Sequence, residues 1–402
     1  MTDTFRAVKV SDHVYWVGAI DWTLRDFHGY STSRGTTYNA YLILADKVVL
    51  VDTVKAPFKQ EMLARIASVI NPENITYIIS NHSEMDHSGC LPEIIKLVKP
   101  EKTFASVMGV KAIQQHFHMD EGIAAVKDGE ALSLGNMSVR FFETKMLHWP
   151  DSMVTYLPDE AVLFSQDAFG MHLASSERFD DEISEDILVW EAAKYYANIV
   201  MPFASIVTKT LERIRSLNVP IHLIAPDHGP LLRKGIARIL DLYAKWARRD
   251  PTAKAVIVYD TMWQSTAKMA QAIAEGIVAG GAKAKVMPLS GSHRSDVATE
   301  VLDAGALVVG SPTINNGLFP TVADVMCYLQ GLKPANLIGA AFGSYGWSGE
   351  AVGLIEAILK EMKVEIAGKG ISVRYVPTNE VLGQCIALGR QVAESLKQRC
   401  SQ

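Results

Sequence analysis

Asn81-His82-Ser83-Glu84-Met85-Asp86-His87 is the most informative stretch of the chain, because it brings two imidazoles and two carboxylates together within six residues. It directly follows the apolar run at residues 75–80, which predicts a short buried strand. The charged residues should therefore lie on the loop that leaves the carboxyl end of this strand, where α/β folds carry much of their chemistry. Ligand-type side chains packed this closely favour a bound cation, which offsets their repulsion and desolvation. A solvated polar loop is the alternative that this segment leaves open.

The whole chain restricts the classes of function. Its 402 residues allow two or three domains. With 49% hydrophobic and 21% charged residues and a formal net charge of -5, it has no bias towards polyanions, so we do not expect nucleic acid as a partner. A long apolar run and a signal-peptide pattern are both absent from the sequence, so we expect a cytoplasmic protein with no membrane partner. The four cysteines include no Cys-x-x-Cys pair, which argues against a zinc ribbon or a built-in rubredoxin-type centre.

Three other predicted strands also end at ligand-type residues. His148 follows the strand near residues 138–143, Asp167 follows the second arm of a predicted hairpin, and His228 follows the apolar run at residues 221–225. A lone histidine is more often a satisfied buried residue than a ligand, but the joint pattern reverses that preference. The simpler structural role is kept for five other histidines, which are His13, His116, His118, His222 and His293.

The pattern changes near residue 250, after a polar segment that reads as a linker. We therefore predict two domains, residues 1–250 and residues 251–402. The second domain alternates five apolar strands with helices, which predicts a parallel, doubly wound sheet.

Three loops of this second domain follow predicted strands. The first loop, residues 260–266, is rich in hydroxyls, lacks glycine and opens onto a helix, which suits a phosphate without a lysine. The glycine patterns of Rossmann and Walker loops are missing, so neither NAD nor ATP is favoured. The second loop, residues 311–317, and the third loop, residues 343–349, offer amides and aromatic faces that suit a flat heteroaromatic ring. Taken singly, these residues would be ordinary helix caps and core aromatics.

The order and context of the ligand-type residues resemble the metallo-β-lactamase fold, an αββα sandwich in which a His-x-His-x-Asp-His loop, a later His, a bridging Asp and a final His bind two metals. Glu84 stands where the second histidine of that loop would be, and this is characteristic of the flavodiiron proteins. Residues 35–41 and 146–153 also resemble that family, and the second domain resembles flavodoxin, whose FMN lies at three such loops. The resemblance covers about residues 10–396.

This resemblance implies an α/β chain with an N-terminal metallo-β-lactamase-like αββα sandwich followed by a flavodoxin-like doubly wound parallel sheet. It implies two irons, one held by His82, Glu84 and His148 and the other by Asp86, His87 and His228, with Asp167 bridging. We expect FMN contacts from the three loops, at Thr261, Met262, Trp263, Ser265, Thr266, Ser311, Pro312, Thr313, Asn315, Asn316, Ser344, Tyr345, Gly346, Trp347 and Ser348. We also expect pocket-lining residues, proton donors or orienting residues near the irons, at His28, Trp149, His172 and Tyr195.

The resemblance further implies that electrons pass from an external donor through FMN to the irons, which reduce dioxygen to water, nitric oxide to nitrous oxide, or both. Rubredoxin and reduced coenzyme F420 are the expected donors, and a head-to-tail homodimer or a dimer of dimers is the expected assembly. Imidazole and carboxylate also suit zinc, but a hydrolase has no use for an electron donor. Two alternatives remain, a di-zinc hydrolase with an accessory flavodoxin-like domain and a non-catalytic electron carrier or docking scaffold.

Overall fold

The computed structural model describes residues 5–119 and 122–401, and these form two compact units. The first unit contains the chain up to His28, Thr32–Tyr195 and Ser205–Ala244. The second contains Gly29–Ser31, Tyr196–Ala204 and the chain from Lys245 onward. Each unit is described by itself below, and the domain boundary at residue 250 stays a prediction.

Two β-sheets form the centre of the first unit. The seven-stranded sheet consists, in spatial order, of Val8–Lys9, Val14–Trp16, Tyr41–Ile43, Val49–Val51, Tyr77–Ser80, Lys102–Ser106 and Ile123–Val126. The five-stranded sheet consists of Ala131–Ser133, Ser138–Glu143, Met153–Leu157, Val162–Gln166 and Leu223–Pro226. Shorter strands of this unit are Ala19–Asp21, Asp26–Phe27 and Thr36–Tyr38, and the short strand Tyr30–Ser31 belongs to the second unit.

The sheets and helices of this unit form four layers. The inner faces of the two sheets share one apolar core, to which Tyr41 and Ile79 contribute from one sheet and Phe141 and Phe164 from the other. The outer face of the seven-stranded sheet packs against helices Lys59–Ala67, Leu91–Val98 and Val107–Phe117. Helix Ala204–Leu217 lies over the outer face of the five-stranded sheet, where it lines a small apolar cavity with strands of that sheet. The remaining α-helices are Met85–Ser88, Glu185–Tyr195 and Ile236–Arg248. The predicted αββα sandwich is confirmed.

The strand before the His82 loop is central in its sheet. Tyr77–Ser80 pairs in parallel with Val49–Val51 on one side and with Lys102–Ser106 on the other. A strand covered on both faces must be apolar almost throughout, which explains the run at residues 75–79.

The second unit contains a parallel sheet in the spatial order Lys283–Pro288, Lys254–Tyr259, Ala306–Gly310 and Ile338–Tyr345, with Glu365–Ile366 and Ile371–Arg374 both pairing with the last. This is the order 2-1-3-4-5 of flavodoxin-like folds, and the predicted flavodoxin-like parallel sheet is confirmed. Its helices are Ser265–Ala279, Arg294–Val301, Pro320–Leu332, Glu350–Glu361 and Asn379–Cys400, and a small hairpin joins Thr313–Ile314 to Gly317–Leu318.

One helical region of the chain is interrupted. It consists of Glu185–Tyr195, a π-turn at Tyr196–Val200, a 3-10 turn at Met201–Phe203 and Ala204–Leu217. Pro202 explains the break, because proline has no N–H and its ring clashes with the carbonyl four residues earlier.

Across the described part of the chain, every helix is too short or too polar to traverse a bilayer. The expected cytoplasmic location stays a prediction. The argument against a signal peptide also uses residues 1–4, which lie outside the described residues.

Candidate functional site

The side chains of Asp52 and Thr53 hold the His82 loop, which we define as residues 81–88. Asp52 accepts hydrogen bonds from the Asn81 backbone N–H at 2.7 Å and from its side-chain amide at 2.8 Å, so the loop is held where it leaves the strand. The loop then enters the short helix Met85–Ser88, and the Thr53 hydroxyl donates to the His87 carbonyl at 2.5 Å. The loop therefore enters and leaves the site in a defined conformation.

The loop and three strand ends deliver seven ligand-type side chains to one place. Their ligand atoms form two groups, each with all members within 4.8 Å of one another. The first group contains His82, Glu84, His148 and Asp167, and the second contains Asp86, His87 and His228. We refer to these sets as the first and second ligand groups.

Asp167 faces both groups. Its Oδ2 atom lies 2.9 Å from His148 Nε2 in the first group. Its Oδ1 atom lies 3.2 Å from His87 Nε2 and 3.5 Å from His228 Nε2 in the second group. One carboxylate oxygen toward each group is the arrangement that a bridging ligand requires.

The seven residues fit two bound metal ions. Both oxygens of Asp86, both ring nitrogens of His87 and Oδ1 of Asp167 are buried without a hydrogen bond to any described residue. Histidine nitrogens nevertheless approach these oxygens to 3.2–3.4 Å. Buried charges that converge without hydrogen-bonding are costly unless a cation binds them. Imidazole and carboxylate together suit first-row metals, iron and zinc among them.

The carboxylates are ionised and ready to bind a cation. Burial opposes ionisation of Glu84, but hydrogen bonds from His148 and His82 hold its pKa well below its usual range. Burial likewise opposes ionisation of Asp167, and the nearby His87 outweighs it and lowers the pKa of Asp167. The same carboxylates raise the pKa of His82, His87 and His148 against the effect of burial, so metal binding would displace protons from these imidazoles.

The three predicted loops of the second unit lie at the carboxyl ends of Lys254–Tyr259, Ala306–Gly310 and Ile338–Tyr345, which are neighbours in the sheet. The predicted FMN residues lie on these loops or in the first turn of helix Ser265–Ala279, except Ser344 and Tyr345, which are the last residues of strand Ile338–Tyr345. Between the first two of these strands the connection order reverses, which is where open α/β sheets bind ligands. The loops therefore form one continuous edge.

The first loop has the features of a phosphate site. The Thr261 hydroxyl is buried with no hydrogen-bond partner in the described residues, and Gln264 has a φ of 64° at the start of the helix. Thr266 Oγ1 lies 3.1 Å from Ser344 Oγ, which joins the first loop to the third. A dianion would satisfy the free hydroxyl and the amides of the first helical turn.

The second and third loops are built as turns that carry aromatic side chains. Asn315 and Asn316 have φ values of 49° and 59° in the small hairpin, and Asn316 donates to Glu350 at 3.0 Å. Trp263 is 89% exposed and Trp347 85% exposed, so neither is the ordinary core aromatic that the sequence left open. Exposed indoles at a ligand edge can cover a flat ring.

Known proteins match this chain along its length. Residues 36–229 match the family described as ODP family beta lactamase, and residues 257–389 match Flavodoxin. The chain is 49% identical to the nitric oxide reductase of Moorella thermoacetica, covering 96% of this chain and 98% of that protein. It is 46% identical to the rubredoxin-oxygen oxidoreductase of Megalodesulfovibrio gigas, covering 98% of each. The crystal structure of the flavodiiron protein from Giardia intestinalis aligns with a TM-score of 0.96 at 31% identity, covering 100% of this chain and 99% of that chain.

The chain belongs to the flavodiiron protein family. The predicted fold, the oxidoreductase class and the cofactors FMN and two irons are thereby confirmed. Nothing in these similarities supports the di-zinc hydrolase alternative.

In this flavodiiron protein, an oxygen atom lies at Nδ1 of three of the four histidines among the ligand-type residues, and two of these contacts, those of His82 and His228, are hydrogen bonds. His82 Nδ1 lies 3.3 Å from Asp151 Oδ2, His87 Nδ1 lies 3.6 Å from Asp227 Oδ2, and His228 Nδ1 donates to the Thr37 carbonyl at 2.6 Å. Such partners fix the ring orientation and raise the basicity of the ligand. Asp151 and Asp227 were not predicted from the sequence. Asp227 stands between strand Leu223–Pro226 and His228, and Asp151 lies shortly before strand Met153–Leu157.

The four predicted pocket residues all lie around the ligand groups. His28 Nε2 is 2.9 Å from Glu84 Oε1, and the Trp149 ring meets the His82 ring edge-on at 5.1 Å. The His172 ring lies 4.5 Å from that of His228, and burial together with His228 lowers the pKa of His172. The Tyr195 ring lies 5.3 Å from His172. The structure places all four near the ligand groups, and their roles stay predictions.

A cavity of about 420 Å³ lies beside the two ligand groups within the first unit. Glu84 and Asp86 line it together with His28, Lys55 and Phe27. The cavity therefore adjoins one member of each ligand group.

Proposed function

We propose that this flavodiiron protein takes electrons from an external donor through FMN and reduces dioxygen to water, nitric oxide to nitrous oxide, or both. The observation that carries the proposal is the pair of adjacent buried ligand groups facing one carboxylate, Asp167, in a chain that also has a flavodoxin-like unit. A hydrolytic centre would have no use for such a unit.

We assign one iron to His82, Glu84 and His148, the other to Asp86, His87 and His228, and the bridging role to Asp167. When bound, the two irons would supply the sites at which the gas binds and is reduced, and FMN would supply the electrons. The burial of six of the seven ligands supports this, because a dry site strengthens every interaction with a developing charge.

Each reduction consumes protons, four for each dioxygen and two for each pair of nitric oxide molecules. His28 is suited to deliver them, because its side chain is 66% exposed while its Nε2 atom lies beside Glu84. Trp149, His172 and Tyr195 would shape and dry the pocket. His172 suits that role, since a lowered pKa keeps a buried imidazole neutral.

We assign the FMN phosphate to the first loop, at Thr261, Ser265 and Thr266, and the isoalloxazine ring to the second and third loops with Trp263 and Trp347. The free Thr261 hydroxyl supports the phosphate assignment. The remaining residues of the predicted set would contribute amides and turn geometry. The backbone conformations of Asn315 and Asn316 support this role.

The donor and the assembly complete the proposal. The name of the Megalodesulfovibrio gigas relative supports rubredoxin, and reduced coenzyme F420 is the second donor to test. A head-to-tail homodimer, or a dimer of such dimers, would set the FMN of one subunit beside the irons of another. Light scattering on the full chain measures this assembly, and a monomer at working concentration would exclude it.

The activity is tested by anaerobic stopped-flow oxidation of the reduced full chain with each gas. We expect two irons and one FMN per chain, oxidation by at least one gas, and loss of that oxidation in Glu84→Ala and His148→Ala. The exposed His222 supplies a matched control, His222→Ala, which should react like the wild type. Zinc with thioester or lactam hydrolysis and no gas consumption would refute the proposal. Unchanged gas consumption in Glu84→Ala would favour the electron carrier or docking scaffold.

A further inference from the structure

Helix Val107–Phe117 contacts the His82 loop and its surroundings at both ends. At the start, the Ser106 hydroxyl accepts from the Gly109 N–H at 2.9 Å and donates to the Asp151 carbonyl at 2.7 Å. At the end, His116 Nδ1 lies 3.1 Å from the carbonyl oxygen of Ser83. A carbonyl can only accept, so His116 carries its proton on Nδ1 and donates it.

The backbone of Ser83 is held on both sides. Its N–H donates to Asp151 Oδ2 at 2.6 Å, while its carbonyl accepts from His116 and from the Ser88 hydroxyl at 2.7 Å. Ser83 stands between His82 and Glu84, two members of the first ligand group. The orientation of these peptide planes therefore sets the spacing of those two ligands.

The His116 ring has a second contact with the same group. It packs against Trp149 with ring centroids 6.0 Å apart at an interplanar angle of 69°. Trp149 in turn meets His82 at 5.1 Å and 86°. His116 thus supports the His82 side chain through Trp149 and the His82 backbone through Ser83.

The second ligand group is held by other contacts. Thr53 donates to the His87 carbonyl, and the Thr37 carbonyl fixes His228. Loss of His116 should therefore loosen the first group and leave the second in place.

We propose that His116 is a positioning residue for the first ligand group: its Nδ1–H holds the peptide between His82 and Glu84, and its ring braces Trp149 against His82. The inference rests on the assignment of metals to the two ligand groups under Proposed function. It replaces the simple structural role that the sequence suggested for His116.

The test compares three variants of the full chain, stripped of metal and titrated with Co²⁺ alone against a competing chelator. His116→Leu removes the donor and keeps apolar bulk against Trp149. His116→Asn keeps an N–H near the position of Nδ1. His118→Asn is the control, because His118 is exposed on the same helix end and its φ of 51° is one that Asn tolerates.

We expect His116→Leu to weaken one of the two Co²⁺ sites by about tenfold and to shift its visible absorption, as loss of an orienting partner does. The other site should be unchanged, His116→Asn should regain most of the affinity, and His118→Asn should match the wild type. Equal binding of both ions by His116→Leu and the wild type would overturn the proposal. Equal weakening of both sites in the Leu and Asn variants, with a lower unfolding temperature, would reduce His116 to a packing role. Fewer than two Co²⁺ sites in the wild type would instead refute the metal assignment itself.

Discussion

Asp227 places a carboxylate oxygen 3.6 Å from Nδ1 of His87, and both residues are buried. Neither oxygen of Asp227 has a hydrogen bond to the described residues. Burial and the neighbouring Asp52 raise the pKa of Asp227 well above its usual range. This carboxyl group is therefore an electrostatic neighbour of the His87 imidazole and not a hydrogen-bonded one.

Replacing this carboxylate should weaken metal binding by the second ligand group. Asp227→Asn keeps the volume and an acceptor oxygen and removes the charge. We expect about a tenfold loss of affinity for one metal ion, at the low end of the range for outer partners because the raised pKa already reduces the charge. Chelator competition on the full chain measures it. Asp241 is exposed, so Asp241→Asn is the control. Wild-type metal affinity in Asp227→Asn would show that the charge of Asp227 is dispensable.

The free hydroxyl of Thr261 should bind the FMN phosphate. We expect Thr261→Val to weaken FMN binding by roughly 10- to 100-fold, since a hydrogen bond to a charged group contributes about 1.5–3 kcal/mol. Thr261→Ser should retain most of the affinity. The quenching of FMN fluorescence on titration into the flavin-free protein gives the constants, with the exposed Ser290→Ala as control. Equal binding by the Val and Ser variants would remove Thr261 from the phosphate site.

Asp52 should make the stability of the metal-stripped protein depend on pH. Burial raises the pKa of Asp52 from 3.8 to about 6, even though it accepts hydrogen bonds from Asn81. Between these two values the folded protein binds the proton and the unfolded chain does not, so stability should fall as pH rises from 4 to 6. The shift corresponds to about 3 kcal/mol at most.

The comparison of wild type with Asp52→Asn isolates this effect from the other carboxylates. Asn cannot ionise, so the variant should gain stability relative to the wild type as pH rises from 4 to 6, and the difference should level off above that. The difference in urea unfolding midpoint between the two proteins, measured from pH 4 to pH 7.5, gives the sign. A difference independent of pH would mean that Asp52 titrates at its ordinary value.

The ligand groups were predictable from sequence because each ligand follows an apolar run, and strand ends in an α/β fold meet at one edge. Asp167 directly follows strand Val162–Gln166, and His148 lies in the turn between strands Ser138–Glu143 and Met153–Leu157, so the strand boundaries made both candidates. The resemblance to the flavodiiron proteins then implied their role as ligands. Glu84 was informative for a different reason, because it stands where the metallo-β-lactamase loop has its second histidine.

The outer partners were not predictable in the same way. Asp151 and Asp227 are ordinary turn residues in sequence, and only the packing of two sheets brings them to Nδ1 atoms. His116 lies on a helix whose pattern gives no sign of its contact with Ser83, because that contact depends on how the helix crosses the loop. The break at Pro202 could have been read from the sequence, since proline inside a helical pattern predicts a break.

His28 should set the rate of gas reduction without holding a metal. Its Nε2 atom lies 2.9 Å from Glu84 Oε1, and its exposed side chain can exchange protons with water. We expect both His28→Leu and His28→Gln to keep two irons and to slow single-turnover oxidation by roughly tenfold or more, since a general acid typically contributes 10²–10⁴ and water supplies part of the loss.

The comparison of these two variants separates proton delivery from orientation. Gln keeps an N–H near Nε2 that can donate to Glu84 but cannot transfer a proton, whereas Leu keeps neither. Both variants place a non-glycine residue at the His28 φ of 54°, so the conformational free-energy cost of that φ cancels when they are compared. Equal slowing of the two variants in the stopped flow would support proton delivery. A wild-type rate in His28→Gln would instead mean that His28 only orients Glu84, and the proton would then have to arrive from another side of the cavity.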